Sequence, residues 1–63
     1  MIKPVSELTF WDIVNTDYGK GIVIDVRDKS VLVWLVTDEL KALHESAIVS
    51  WERNISDEID TTH

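Results

Sequence analysis

Cysteine is absent from the chain, and proline occurs once, at Pro4. Without thiols there is no disulfide framework and no thiolate metal site, a usage that fits a reducing compartment. Glycine is almost as scarce, limited to Gly19 and Gly21, so tight reversals with positive φ have few places to form. Nothing approaches the roughly 20 apolar residues of a membrane span, and the start Met1-Ile2-Lys3-Pro4 lacks the apolar stretch of a signal peptide. The expectation is a cytoplasmic protein with no membrane association. On that footing the glycosylation triplet Asn54-Ile55-Ser56 is accidental.

Positive charge is also in short supply, with six Lys and Arg against twelve Asp and Glu and a formal net charge of −6. Met1 to Trp51 holds five basic and eight acidic residues, and Glu52 to His63 sets Arg53 against Glu52, Asp57, Glu58 and Asp60, so each part carries −3. Such a balance repels a phosphate backbone and disfavours nucleic acid as the main ligand. Lys20, Arg27 and Lys29 could gather into a small basic spot, although solubilising turn residues are the plainer account.

What is present is apolar bulk. At 63 residues there is room for one domain, and a chain of that size buries only about 60% of the surface its unfolded form exposes, so each large side chain counts. The hydrophobic fraction is 44% and three of the five aromatic residues are tryptophan, which makes a folded protein the default.

From Asp12 to Trp51, short apolar stretches with period-two alternation are broken by turn residues at nearly even intervals, the mark of brief strands around one core. Met1 to Leu8 reads as a lead-in whose Pro4 blocks regular ladder pairing. A first strand covers Phe10 to Asn15, and a loop follows over Asn15 to Gly21, where the two glycines supply positive-φ or close-packed positions. In the next strand Ile22, Ile24 and Val26 share one face and Val23 and Asp25 the other. Arg27-Asp28-Lys29-Ser30 is a polar connection into Val31-Leu32-Val33-Trp34-Leu35-Val36, which has no polar residue on either face. Thr37-Asp38-Glu39 turns into a short strand, Leu40 to Leu43, with a helix over Thr37 to Ala47 as the competing assignment. A single 3₁₀ turn at His44-Glu45-Ser46-Ala47 and a last strand, Ile48 to Trp51, complete the pattern. Beyond it, Glu52 to His63 is an acidic tail, disordered or a short helix with Ser56 as a cap.

Trp11-Asp12-Ile13-Val14, the run Asp17-Tyr18-Gly19-Lys20-Gly21 leading into Ile22 to Val26, Val31 to Trp34, Leu40 to Leu43 and Ala47 to Trp51 together resemble a Tudor-like, SH3-like barrel. The layout is similar to the Tudor-like domain at the C-terminus of UvrD/PcrA-type helicases, to the RNA-polymerase-interacting domain of CarD-like transcription factors, and to small stand-alone phage barrels. The likeness spans Trp11 to Trp51 and rests on structural motifs that many barrels share. In those families a glycine usually precedes the Asp of the first strand, and Trp11 stands there instead. The resemblance implies an all-β, five-stranded barrel over residues 1–51 that binds proteins through a strand edge or apolar face, in the host cytoplasm if phage-encoded. RNA polymerase or another DNA-metabolism protein is the partner it implies, and no motor activity follows from it.

The chemistry census is short. His44, Glu45 and Ser46 are adjacent on a turn and are expected to point apart, so no catalytic triad is read from them and the chain is not expected to be an enzyme. Two histidines without cysteine, one of them His63 at the terminus, do not make a closed zinc site, and no cofactor is implied. Gly19-Lys20-Gly21 lacks the length and hydroxyl of a phosphate loop. The aromatics are more telling, because five rings exceed what so small a core encloses. With Val31, Val33 and Leu35 inward, Leu32, Trp34 and Val36 form an outward strip, which is either covered by Pro4, Leu8, Ile55 or Ile59 or left open to a partner or a second copy. An aromatic cage of Tyr18 and Trp34 for a methylated cation has no further support. The candidate partner-binding residues are therefore Trp11, Tyr18, Leu32, Trp34, Val36 and His44. The expected role is a non-catalytic protein-interaction module of the transcription or DNA-metabolism machinery. The alternatives are a nucleic-acid-binding barrel using Lys20, Arg27, Lys29 and Tyr18, and an acidic decoy of another protein's DNA-binding surface.

Overall fold

In the computed structural model, which describes residues 1–59 and the side chains of residues 1–57, the chain forms six strands in one antiparallel sheet. These are β1 (Ile2–Pro4), β2 (Asp12–Thr16), β3 (Gly19–Val26), β4 (Ser30–Leu35), β5 (Leu40–His44) and β6 (Ile48–Asn54), with a 3₁₀ turn at Val5–Glu7 and a closing helix α1 (Ile55–Ile59). Their order across the sheet is β1-β6-β2-β3-β4-β5. The two edge strands do not pair with each other, so the sheet is open and six-stranded where a five-stranded closed barrel was expected.

The added strand is the lead-in. Ile2, Lys3 and Pro4 lie opposite Ser50, Val49 and Ile48, so Pro4 does not prevent pairing. A proline is tolerated on an edge strand because its missing N–H can face away from the ladder. The first long strand starts two residues later than expected, because Thr9 to Asp12 forms a turn closed by the Asp12 N–H donating to the Thr9 carbonyl. Trp11 takes φ +73° there, the left-handed region in which glycine is the comfortable residue.

The loop expected over Asn15 to Gly21 shrinks to a two-residue hairpin turn at Asp17 and Tyr18, because Asn15 and Thr16 are already paired with Lys20 and Gly19. Thr16 Oγ1 accepts from the Tyr18 N–H and donates to the Gly19 carbonyl, which fixes the reversal. The two glycines serve different needs: Gly19 sits at φ +117°, whereas a Cβ on Gly21 would lie 2.5 Å from Val33 Cγ1 and 2.8 Å from the Trp34 carbonyl oxygen. Residues 40–44 are a strand, as expected against the helical alternative. His44 to Ala47 is a single hydrogen-bonded reversal, Ala47 N–H to the His44 carbonyl, and the 3₁₀ turn lies near the N-terminus instead.

The core collects on one face of the sheet. Val14, Val23, Val31, Val33, Leu43 and Val49 meet Leu35 there, with Val5 and Leu8 brought over from the 3₁₀ turn. Val5 is tied in by its N–H to the Ala47 carbonyl. β-branched side chains pack well on a pleated surface, and each fully buried valine contributes about 1.5 kcal/mol or more of transfer free energy. Alternation along β3 fails at one point. The register shifts between Val23 and Asp25, placing Asp25 opposite Leu32 and Val26 opposite Val31, so Ile22, Ile24 and Val26 do not share a face.

Candidate functional site

The outer face of the sheet carries an apolar row at right angles to the strands. Cross-strand pairing sets Ile13 beside Ile22, Ile22 beside Trp34, and Trp34 beside Leu40. A groove of about 360 Å³ opens along the first part of this row, floored by Ile13, Ile22 and Gly21 and walled by Trp34, Val36 and Ile55. The parity expected for the central strand holds: Val31, Val33 and Leu35 are sealed, while Trp34 is 49% exposed and Val36 74%.

The Trp34 indole is held in place. Its Nε1 donates to Asp38 Oδ1 at 3.1 Å, and Asp38 adopts φ +68° in the turn closed by its N–H to the Leu35 carbonyl. An indole oriented by a partner in the same turn loses less rotamer freedom on binding, which makes it a better anchor than a free one.

Polar groups border the groove at the start of β3. Lys20 Nζ lies 2.9 Å from Glu52 Oε1, and Arg53 pairs with the same carboxylate. The hydrogen bond from Lys20 is the main reason the Glu52 carboxyl sits below its ordinary value of 4.5. The charges of Lys20 and Arg53 and the Asn15 amide act in the same direction against desolvation.

At the β2 end a buried polar cluster fixes the neighbouring backbone. Asp12, 3% exposed, accepts from the Thr9 N–H at 2.8 Å through Oδ2 and from Asn54 Nδ2 at 2.7 Å through Oδ1. Asn54 Nδ2 also donates to the Phe10 carbonyl at 3.0 Å, and Asn54 Oδ1 accepts from the N–H and hydroxyl of Ser56. The cap of α1 is thus Asn54 and not Ser56, and β6 extends past Trp51 to reach it. A strand residue that ties together a turn, a carboxylate and a helix start leaves no periodic trace in a sequence.

Of the six residues singled out from sequence, the structure brings Trp34 and Val36 together at the groove. Leu32 faces the same way, half-buried, farther along β4. Trp11 and Phe10 are both about half exposed on the Thr9–Asp12 turn, not on opposite faces of a strand. Tyr18 lies elsewhere, its ring 4.9 Å from Lys41 Nζ, beside a separate depression that it shares with His44. Its cation is therefore one from this chain, and Tyr18 and Trp34 do not face a common cage.

His44 and Ser46 do not point apart. His44 Nδ1 is 2.8 Å from Ser46 Oγ and accepts the Ser46 N–H at 3.2 Å, a side-chain cap of the β5–β6 reversal. Among the described residues no carboxylate hydrogen-bonds the other ring nitrogen, so the pair lacks the orienting acid of a triad. Lys20 and Arg27 stand at opposite ends of β3, each beside a carboxylate, and do not form one basic spot with Lys29. Among the described residues no group of three or more acidic or histidine side chains is placed to hold a metal ion, and no helix is long and apolar enough to cross a membrane. His63 and the end of the acidic tail lie outside the described residues. Ile55 borders the strip, as one of the residues expected to cover it, whereas Ile13 and Ile22 were missed as groove residues. Pairing of β2 with β3 sets Ile13 opposite Ile22, a register fixed by the turn at Asp17 and Tyr18 that the longer loop expected over Asn15 to Gly21 concealed.

No protein-family model matches the chain, and neither a curated protein nor a solved structure does.

Proposed function

We propose that this chain is a non-catalytic protein-interaction module that docks a partner in the outer-face groove, with Trp34 as its anchor. The observation that carries this is the oriented, half-exposed Trp34 within an apolar row that the protein's own core does not use. Exposed indoles inside a contiguous apolar patch are enriched at interfaces and dominate their energetics. The sheet order of β6-β2-β3-β4-β5, with its core cluster on one face, is compatible with a curled SH3-like or Tudor-like unit to which β1 has been added. On that resemblance the partner is a protein of bacterial transcription or DNA metabolism, RNA polymerase first among them. Net charge and the scattered placement of Lys20, Arg27 and Lys29 favour protein over nucleic acid.

The test is direct binding of the purified chain to bacterial core RNA polymerase and, in parallel, to single- and double-stranded DNA at about 50 mM salt. Polymerase binding that weakens by about 2 kcal/mol, roughly 30-fold, in Trp34→Ala supports the reading. Circular dichroism verifies that the variant folds, and Val36→Asp gives a second disruption of the same wall. Salt-sensitive DNA binding that ignores both substitutions would transfer the function to a nucleic-acid-binding module.

A further inference from the structure

The sheet ends in two edges of different character. Along β1 the Met1 carbonyl accepts from the Trp51 N–H and the Val5 N–H donates to the Ala47 carbonyl, so the odd-numbered residues turn to β6 and Pro4 turns outward. Its missing N–H falls on the open side, which blunts that edge. β5 is the longer edge strand and holds no proline.

The bonds of β5 to β4 fix which groups it offers. The Leu35 N–H donates to the Glu39 carbonyl at 2.8 Å and the Glu45 N–H to the Lys29 carbonyl at 2.9 Å, in step with Val33 opposite Lys41 and Val31 opposite Leu43. Backbone groups of an antiparallel strand alternate sides, so Leu40, Ala42 and His44 turn their N–H and C=O groups to the open edge. The His44 carbonyl also takes the Ala47 N–H and keeps a second lone pair.

Side chains then decide what pairs there. Lys41 and Leu43 lie on the core side of β5, with Lys41 half-buried and its Nζ 4.9 Å from the Tyr18 ring centre. A lysine held inward on an edge strand opposes any strand that brings no carboxylate to meet it. This chain carries a strand that does. When a second β5 lies antiparallel with Leu43 opposite Leu43, each Lys41 faces Glu45 of the other copy, and Ala42 faces His44 with the outward backbone groups matched. A slip of one residue sets outward groups against residues turned to β4. A slip of two opposes Glu39 to Glu45 in one direction and Leu43 to Glu45 in the other, and a further slip past the first sets Lys41 against Lys41.

We propose that two copies of this chain join edge to edge through β5 in that register, with a Lys41–Glu45 pair at each end of the seam. The two-fold axis stands perpendicular to the joined sheet, so both Trp34 grooves look out from the same side. Two such sites at a fixed spacing give avidity toward a partner with repeated sites, although the seam itself does not depend on what the grooves bind.

The test is sedimentation equilibrium of the full chain from about 10 µM to about 1 mM, a range suited to the small area that one short strand buries. The mass is expected to rise toward that of two chains, and the Ala42 and His44 amides are expected to gain more protection from hydrogen exchange than those of Lys41 and Leu43, which β4 already holds. Lys41→Glu and Glu45→Lys each put like charges across the seam and are expected to stay monomeric. An equal mixture of the two variants makes every facing pair unlike and is expected to associate at least about tenfold more tightly than either variant alone. Circular dichroism verifies that both fold, and if one does not, amide protection in the parent chain decides. A mass that stays at one chain up to about 1 mM overturns the proposal. So does a dimer without added protection at Ala42 and His44, or one that survives both charge reversals and is lost in Trp34→Ala, because the copies then meet through the outer strip.

Discussion

The two faces of β4 are equally apolar in sequence, yet they meet different fates. Val31, Val33 and Leu35 are sealed against side chains from β2, β3, β5 and β6, whereas Leu32, Trp34 and Val36 look outward, with exposure rising toward the end of the strand. A single sheet in a chain of 63 residues can pay to cover one face. On the other face Ile55, the first residue of α1, borders the groove that Ile13, Ile22 and Trp34 line. An apolar run without a polar alternation therefore signals two different things at once here, a core and a surface that awaits cover.

The contrast is sharpest under charge. Val33→Asp puts an unpaired carboxylate into the core and is expected to cost more than about 4 kcal/mol, enough to unfold a domain of this size. Val36→Asp, one residue past the end of β4 and 74% exposed, is expected to stay within about 0.5 kcal/mol of the parent. Urea unfolding followed by circular dichroism measures both, and equal losses would erase the distinction between the faces.

Next in size is the cluster that holds the outer face's cover in place. Asn54→Ala removes the cap of α1 and leaves Asp12 Oδ1 without its buried donor, for an expected loss of about 3 kcal/mol in the same measurement. A loss below about 1 kcal/mol would mean that water replaces the amide and the cluster is not closed.

The inner face can be probed through backbone proximity. Gly21→Ala drives a methyl toward Val33 Cγ1 and the Trp34 carbonyl, with an expected loss of about 2 kcal/mol. Gly19→Ala meets no atom within 4 Å and is expected to lose about 1 kcal/mol, from its positive φ alone. Reversal of that order would place the tight contact elsewhere.

The smallest effect belongs to the outer rim. Glu52 titrates below its ordinary value because Lys20 hydrogen-bonds its charged form, so its contribution is present above pH 4.5 and fades as pH falls through the lowered folded value. Glu52→Gln is expected to flatten slightly the fall in urea midpoint below pH 4.5, and an NMR titration midpoint for Glu52 above that value would contradict the Lys20 contact.

Much of this arrangement was legible along the chain. Strict parity in Val31 to Val36 told which side chains pack and which do not, and two glycines in Gly19-Lys20-Gly21 marked one strained turn and one close approach. The position of Trp11 was not legible, because a left-handed residue in the Thr9–Asp12 turn stands where alternation suggested the start of a strand. The bulge near Ile24 was not legible, because one extra residue in β3 is visible only against the register of β4. Nor was the pairing of β1, since an edge position excuses Pro4 from donating and edge positions are assigned by the fold. The groove was legible in part, with Trp34 and Val36 evident and Ile55 named as a candidate cover, but Ile13 and Ile22 hidden.

Hydrophobic alternation, turn residues and chain length dictated local extension, one core and a surplus of aromatic surface, because period and propensity act between neighbours a few residues apart. Which strands lie side by side, where the ladder slips, that Asn54 bridges the first long strand to the last helix, and that Ile55 stands at one end of the Trp34 groove were decided by tertiary packing. The Asp12–Asn54 bridge joins residues 42 positions apart, and over such a separation no local period constrains the partner; the packing of the core does.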